Sequence, residues 1–264
     1  MRAPTPMADE LRFFLTALGY FTRVPLPQRL AGWVGFAPHY LNAAARYFAL
    51  VGLLIGACGA VVTWAAWQFW SPSVAIVLGM AATLLLTGAF HEDGLADCVD
   101  AFGGGYRRED VLTIMHDSRV GAFGAIAIVV ALLLKWQLLV SVEDIGGVGL
   151  MLAVLVAAHG ASRAMAITFL ATHDYVRAEG KSKPVAQRLA GRGLIFALAC
   201  GVLPLLWISP LFAGATVLVL VGVRTALGAY FVKRIGGYTG DCLGMAQQLA
   251  ELSIYLVAAA WKWY

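Results

Sequence analysis

The sequence predicts an all-α fold: a polytopic membrane helix bundle of about seven transmembrane helices plus an N-terminal interfacial helix. Three observations carry this. Of 264 residues, 61% are hydrophobic and only 13% charged, with a mean hydropathy of +0.78, whereas soluble domains carry about 25% charge. Apolar runs of span length alternate with short polar segments. The basic residues gather on every second connection. Residues 1–264 read as a single integral membrane domain, with 1–46 as a cytoplasmic or interfacial segment. Cys58, Cys98, Cys200 and Cys242 show no paired spacing and no disulfide framework.

Taken in order, Leu11, Phe14, Leu15 and Leu18 repeat at helical spacing, but Leu11–Phe21 is too short to span. It is expected to lie in the interface and to stop near Pro25 and Pro27. Asp9, Glu10, Arg12 and Arg23 interrupt this stretch, so it is not expected to be a cleaved signal. A span needs about 20 apolar residues. Seven stretches qualify: Ala49–Trp70, Ser73–Phe90, Val120–Val140, Ile145–Ala171, Gly193–Ile208, Leu211–Val232 and Met245–Trp263. The fifth is short and holds Pro204, which predicts a break or tilt. The seventh opens with Gln247, Gln248 and Glu251, so its first turns should face protein or water. Gly52 and Gly56 form a GxxxG, a close-packing signal.

Placing the N-terminus in the cytoplasm puts 15 of the 19 basic residues on one side. These are Arg2, Arg12, Arg23, Arg29, Arg46, Arg107, Arg108, Arg119, Arg177, Lys181, Lys183, Arg188, Arg192, Lys233 and Arg234. The bias predicts N-terminus in and C-terminus out. Every long polar loop then faces the cytoplasm.

The richest of these begins His91-Glu92-Asp93-Gly94-Leu95-Ala96-Asp97-Cys98-Val99-Asp100. On a helix, Asp93, Asp97 and Asp100 fall at i, i+4 and i+7, within roughly 60° of one another. Like charges on one stripe repel, so the stripe calls for a cation. Hard carboxylate oxygens suit Mg²⁺, which prefers a few carboxylates plus phosphates and water. One or two ions on Asp93, Asp97 and Asp100 are expected, against the plainer reading of a solvated acidic helix end. Glu92, about 100° off the stripe, either ligates from the side or is simply solvated. His91 reads as a polar cap at the membrane boundary. Gly103 and Gly104 would let backbone approach a phosphate or would serve as a hinge. Arg107 and Arg108 follow as a basic patch. Asp117 could complete the metal site and Arg119 could clamp a phosphate; equally, Asp117 and Ser118 are helix-capping types. Asp241 follows Gly236, Gly237 and Gly240, a tight turn that would bring it over a ligand.

Four charges fall inside spans. Arg224 and Glu251 sit at comparable depth and are candidates for an ion pair. His159 and Arg163, at i and i+4, could line a polar cavity. Lys135 beside Trp136 is expected to snorkel to the outer interface.

Glu92–Gly104, then Met115-His116-Asp117-Ser118-Arg119-Val120-Gly121-Ala122-Phe123-Gly124, then Gly237-Tyr238-Thr239-Gly240-Asp241-Cys242-Leu243-Gly244 resemble the cobalamin synthase family of adenosylcobinamide-GDP ribazoletransferases. Phe21-Thr22-Arg23-Val24-Pro25-Leu26-Pro27 is similar to that family's opening. Threonine is usual in the family where Cys98 and Cys242 stand, and lysine where His116 stands. The resemblance implies a Mg²⁺-dependent enzyme of the bacterial inner membrane. Its substrates would be adenosylcobinamide-GDP and α-ribazole or α-ribazole 5′-phosphate, and GMP would leave. On that reading Asp93, Asp97, Asp100, Asp117 and Asp241 serve catalysis, while Glu92, Asp93, Asp97 and Asp100 hold metal. Gly103, Gly104, Arg107, Arg108, Arg119 and Arg163 bind substrate, and Asp241 or Glu92 takes the proton of the attacking hydroxyl. The bilayer is a partner, nucleic acid is not, and a homo-oligomer stays open. Two rival classes are a CDP-alcohol phosphotransferase, whose D-x-x-D-G-x-x-A-R signature is absent, and a cation-coupled transporter, whose acids would sit nearer the midplane.

Overall fold

A computed structural model describes residues 6–35, 38–177, 189 and 191–263. Arg2, Lys181, Lys183 and Arg188, counted above among the inner charges, lie outside the described residues. The elements are α1 (Pro6–Phe21), α2 (Gln28–Val34), α3 (Pro38–Ala44), a 3₁₀ turn (Ala45–Tyr47), α4 (Phe48–Trp67), α5 (Pro72–Thr87), α6 (Phe90–Gly104), α7 (Arg108–Ile114), α8 (Ala122–Ile167), α9 (Phe169–Thr172), α10 (Arg192–Ile208), α11 (Pro210–Ile235) and α12 (Gly240–Ala260). No strand occurs among the described residues, and the fold is an all-α polytopic bundle.

The long α8 is two spans. Gly147 takes φ 78° and ψ 172° inside it, a conformation that only glycine adopts cheaply. Lys135 and His159 stand twelve residues to either side of it, and both reach Glu251 of α12, at 2.5 and 3.7 Å. The limbs 122–146 and 148–167 therefore run antiparallel, matching the third and fourth expected spans. The GxxxG of α4 packs on the second limb: a Cβ on Gly52 would collide with the His159 carbonyl oxygen. α10 continues through Pro204.

Two charge expectations are corrected. Lys135 does not snorkel; it is buried and paired with Glu251. Arg224 does not pair with Glu251; its Nε donates to Thr168 Oγ1 at 3.2 Å, and its guanidinium lies 4.9 Å from the Phe169 ring centre. Comparable depth did not place these two side chains on facing sides of their helices. Glu251 also accepts from Gln247 at 2.6 Å and Tyr255 at 3.0 Å, so its charge is hydrogen-bonded as a buried charge must be.

The corner that positions the acidic stretch follows α5. Gly88 (φ 65°) and Ala89 (φ 54°) are both left-handed, and α6 leaves at 86° to α5. α6 begins at Phe90, where the expected second span ends, so Asp93, Asp97 and Asp100 follow that span. Arg23 locks the corner: its backbone N–H donates to Leu86 O at 2.7 Å, and a Cβ on Gly88 would collide with its Nε.

Candidate active site

α6 crosses the start of α12 at two glycines. A Cβ on Gly94 would stand 2.9 Å from Asp241 O and 3.2 Å from Gly244 Cα. Small residues here let the backbones touch, which sets Asp241 beside the α6 stripe. Thr239 caps α12, accepting from Cys242 N at 3.3 Å, and so starts that helix five residues before the expected Met245.

Three connections meet over this crossing. Tyr238 N donates to Asp174 O and Val176 N to Tyr238 O, each at 3.0 Å. Arg177 then reaches Asp241 at 2.8 Å and donates to Met115 O at 3.0 Å. The acidic stripe, the 115–119 segment and the 237–244 segment thus converge.

Asp93 is exposed, and Asp97 and Asp100 are half-buried. Asp97 lies within electrostatic reach of Asp93, Asp241 and Asp100, with Arg177 the cation opposing them. Burial, then the Asp93 and Asp241 carboxylates, push the Asp97 carboxyl up to about 7. Asp100 also anchors the next helix. Its two oxygens accept from Gly121 N at 2.7 Å and Gly124 N at 2.8 Å, holding the positive end of α8. Cβ atoms on those glycines would collide with its carboxylate, which accounts for both.

Other expected residues lie apart from the stripe. Glu92 turns inward, accepting from Gln248 at 2.9 Å. It lines a small polar cavity, about 10 Å³, with His91, Lys135, His159, Arg163 and Glu251. Arg163 is buried there, donating to His159 O at 2.9 Å, and does not reach the acidic face. His91 is buried too, stacked on Phe48 at 5.6 Å, rather than capping the boundary. Asp117 and Arg119 form an exposed two-pronged pair, with contacts of 2.5 to 3.0 Å; the guanidinium holds the Asp117 carboxyl down at about 2. Gly103 and Gly104 end α6 in the open, and the tight spot is Gly105, whose Cβ would meet Val111 N at 2.8 Å. Arg107 is exposed beside Glu109, 3.6 Å away, and Arg108 is exposed near Gly236.

Sequence reasoning passed over Arg177 and Arg234. Arg234 donates to Phe102 O at 3.0 Å and Gly105 O at 2.7 Å, satisfying carbonyls at the end of α6. Nothing local marks either residue: Arg177 is one basic side chain near a basic loop, and Arg234 one of two in the last turn of α11. Thr239 did carry a signal, a hydroxyl residue just before a glycine-led helix.

Among the described residues, no three His, Cys, Asp or Glu side chains stand close enough to enclose a metal ion alone. Mg²⁺ ordinarily needs one or two carboxylates, with phosphate and water completing its shell. Several carboxylates opposed by one guanidinium, all hard oxygen donors, fit that requirement.

The sequence model of the cobalamin-5-phosphate synthase family matches residues 13–259. A Ralstonia pickettii protein named adenosylcobinamide-GDP ribazoletransferase is 58% identical over 247 residues, covering 93% of this chain and 94% of its own. Proteins of the same name from Ralstonia nicotianae and a Shewanella strain are 54% and 48% identical, covering 97% and 94% of this chain and the same shares of their own. No solved structure matches. With the three resembling segments meeting at one end of the bundle and a match across nearly the whole chain, the protein belongs to the cobalamin-5-phosphate synthase family.

Proposed function

We propose that this chain joins adenosylcobinamide-GDP to α-ribazole, or to α-ribazole 5′-phosphate, and releases GMP. The observation that carries the reading is the acidic face where α6 crosses α12, built from the segments that resemble the family. We place it on the cytoplasmic side of a bacterial inner membrane, in keeping with the positive-inside bias.

Bound Mg²⁺ would neutralise the diphosphate and the charge that gathers on the departing phosphate. Asp93 and Asp97 would hold it, with Asp100 fixing the far end of the stripe to α8. Arg177, tied to Asp241, borders the site. Arg108 is an exposed fork available to the GMP half, and Arg119 would become one on releasing Asp117. Of the two carboxylates considered for the proton of the attacking hydroxyl, Asp241 lies at the face and Glu92 is turned away. Asp241 is therefore assigned that role. The acceptor oxygen bonds to the cobinamide-side phosphorus, the bond from that phosphorus to the GMP oxygen breaks, and the acceptor proton passes to Asp241.

The test is the full-length protein in nanodiscs with adenosylcobinamide-GDP and α-ribazole, with Mg²⁺ or with EDTA. GMP and cobalamin are expected in equal amounts with Mg²⁺ alone. Absence of GMP with both substrates and metal present would overturn the reading.

A further inference from the structure

Between α8, α10 and α11 lies an apolar groove of about 230 Å³. Small residues make its floor. A Cβ on Gly201 would collide with the Ala164 Cβ and stand 3.2 Å from Ala161 Cα, so α10 and the second limb of α8 touch there and leave the space above them unfilled. Leu205, Leu220 and Val221 form the walls. Val221 and Leu198, which also line the groove, are exposed. The groove therefore opens sideways, toward the lipid around a membrane bundle.

One end of the groove is cationic. Arg224 lines it beside Thr168 and Thr172. Its Nε donates to Thr168 Oγ1 at 3.2 Å and its Nη2 to Thr172 Oγ1, with His173 Nδ1 3.3 Å away. None of these partners is a carboxylate, and among the described residues Nη1 has no partner at all. A guanidinium left without an anion on a lipid-facing surface is costly. Its level along the bundle is that of the end carrying the acidic face. Thr172 closes α9, and His173 packs on α11 at Gly228, where a Cβ would stand 2.9 Å from its Nε2. Asp174 then accepts from Tyr238 N, beside the acidic face. Arg224 thus stands about one turn of α11 inside the point where the chain leaves the bundle, the level of phospholipid headgroups.

An apolar slot leading inward from a lone cation at headgroup level matches a lipid in shape and in charge. Val217 to Arg224 covers two turns of α11, about 10 Å. At ~30 Å³ for a water-sized group, which a methylene resembles, the slot holds about eight chain carbons. Other occupants fit less well. A free phosphate would satisfy Arg224 and leave the slot unfilled. A second copy docking about a two-fold axis presents the same groove and the same cation, and so brings no anion.

We propose that this groove binds one anionic glycerophospholipid of the surrounding membrane. The phosphate accepts from the two terminal nitrogens of Arg224, and one acyl chain lies over Gly201 toward Val217 and Leu205. A headgroup without an ammonium is favoured, because an ammonium would repel the guanidinium.

The test is native mass spectrometry of the full-length protein released from detergent micelles. The probes are phosphatidylglycerol, phosphatidylcholine with the same chains, and glycerol 3-phosphate as the chainless control. The parent is expected to hold one phosphatidylglycerol at least tenfold more tightly than phosphatidylcholine and to ignore glycerol 3-phosphate. Arg224→Gln should bring phosphatidylglycerol down to the phosphatidylcholine level. Val217→Trp, which fills the far end of the slot, should weaken phosphatidylglycerol tenfold with Arg224 intact. A parent with no preference between the two lipids, or an Arg224→Gln variant that keeps the preference, overturns the proposal. Equal competition by glycerol 3-phosphate marks a plain anion site and also overturns it. If Val217→Trp breaks up a dimer and leaves lipid binding unchanged, a second copy fills the groove and the proposal falls. Should the variants not fold, the parent decides alone. Phosphatidylglycerol with a diazirine in its chain should label peptides holding Leu198–Leu205 or Val217–Arg224, and labelling confined to other helices overturns the site.

Discussion

Gly94→Ala tests whether the backbone contact between α6 and α12 sets the geometry of the acidic face. The added Cβ would sit 2.9 Å from Asp241 O, 3.1 Å from Asp241 Cα and 3.2 Å from Gly244 Cα. All three are backbone atoms, so no side chain can rotate aside. Restoring an ordinary separation means parting the helices by about 0.5 Å, an overpacking that costs about 1–3 kcal/mol. The same movement carries Asp241 away from Asp93 and Asp97. A displacement of ~1 Å in a reacting site costs ~100-fold, so half of that should lower kcat/KM for GMP release about tenfold. The assay is steady-state GMP release in nanodiscs, with a thermal midpoint measured in parallel. Gly214→Ala serves as the control: nothing lies within 4 Å of its Cβ position, and alanine is the better helix former. If Gly94→Ala keeps kcat/KM within twofold of the parent, the crossing does not set the site.

Asp97→Asn should abolish turnover while holding or raising the thermal midpoint, because it removes a carboxylate repelled by Asp93 and Asp241; near-normal GMP release would take Asp97 out of the site. Lys135→Met leaves the buried Glu251 without its ammonium partner and should cost about 3–5 kcal/mol, on the order of 10 °C in midpoint. Lys135→Met with Glu251→Gln should recover much of that loss, and equal midpoints for the single and double variants would show that the pair is not coupled. Arg119→Lys should lose most activity, since an ammonium cannot reproduce a two-pronged guanidinium contact; a KM for adenosylcobinamide-GDP equal to the parent's would remove Arg119 from substrate binding.

The parts of this structure governed by local periodicity were legible in the sequence. The apolar runs marked the helices, Gly52 and Gly56 marked a close contact, and the spacing of Asp93, Asp97 and Asp100 put them on one face. What was hidden depends on partners distant in the chain. Lys135 next to Trp136 looks like an interfacial residue until Glu251, on another helix, is seen to claim it. Glu92 belongs by sequence to the acidic run, yet Gln248 draws it into the interior. Asp100 looks like a third ligand, and only the arrival of Gly121 and Gly124 shows its grip on α8. The left turn at Ala89 has no signal in its residue type at all: alanine resists that conformation, and the surrounding packing imposes it.

The seat of Arg23 against Gly88 has a consequence for how the chain assembles. Arg23 is made early, but its docking place does not exist until both the first apolar hairpin and the elbow after it have been synthesised. Arg23 can therefore clamp the elbow only once α5 is in place. Arg23 thus reaches its final contacts only after Leu86 and Gly88 have been made, so the acidic helix acquires its fixed angle no earlier than that.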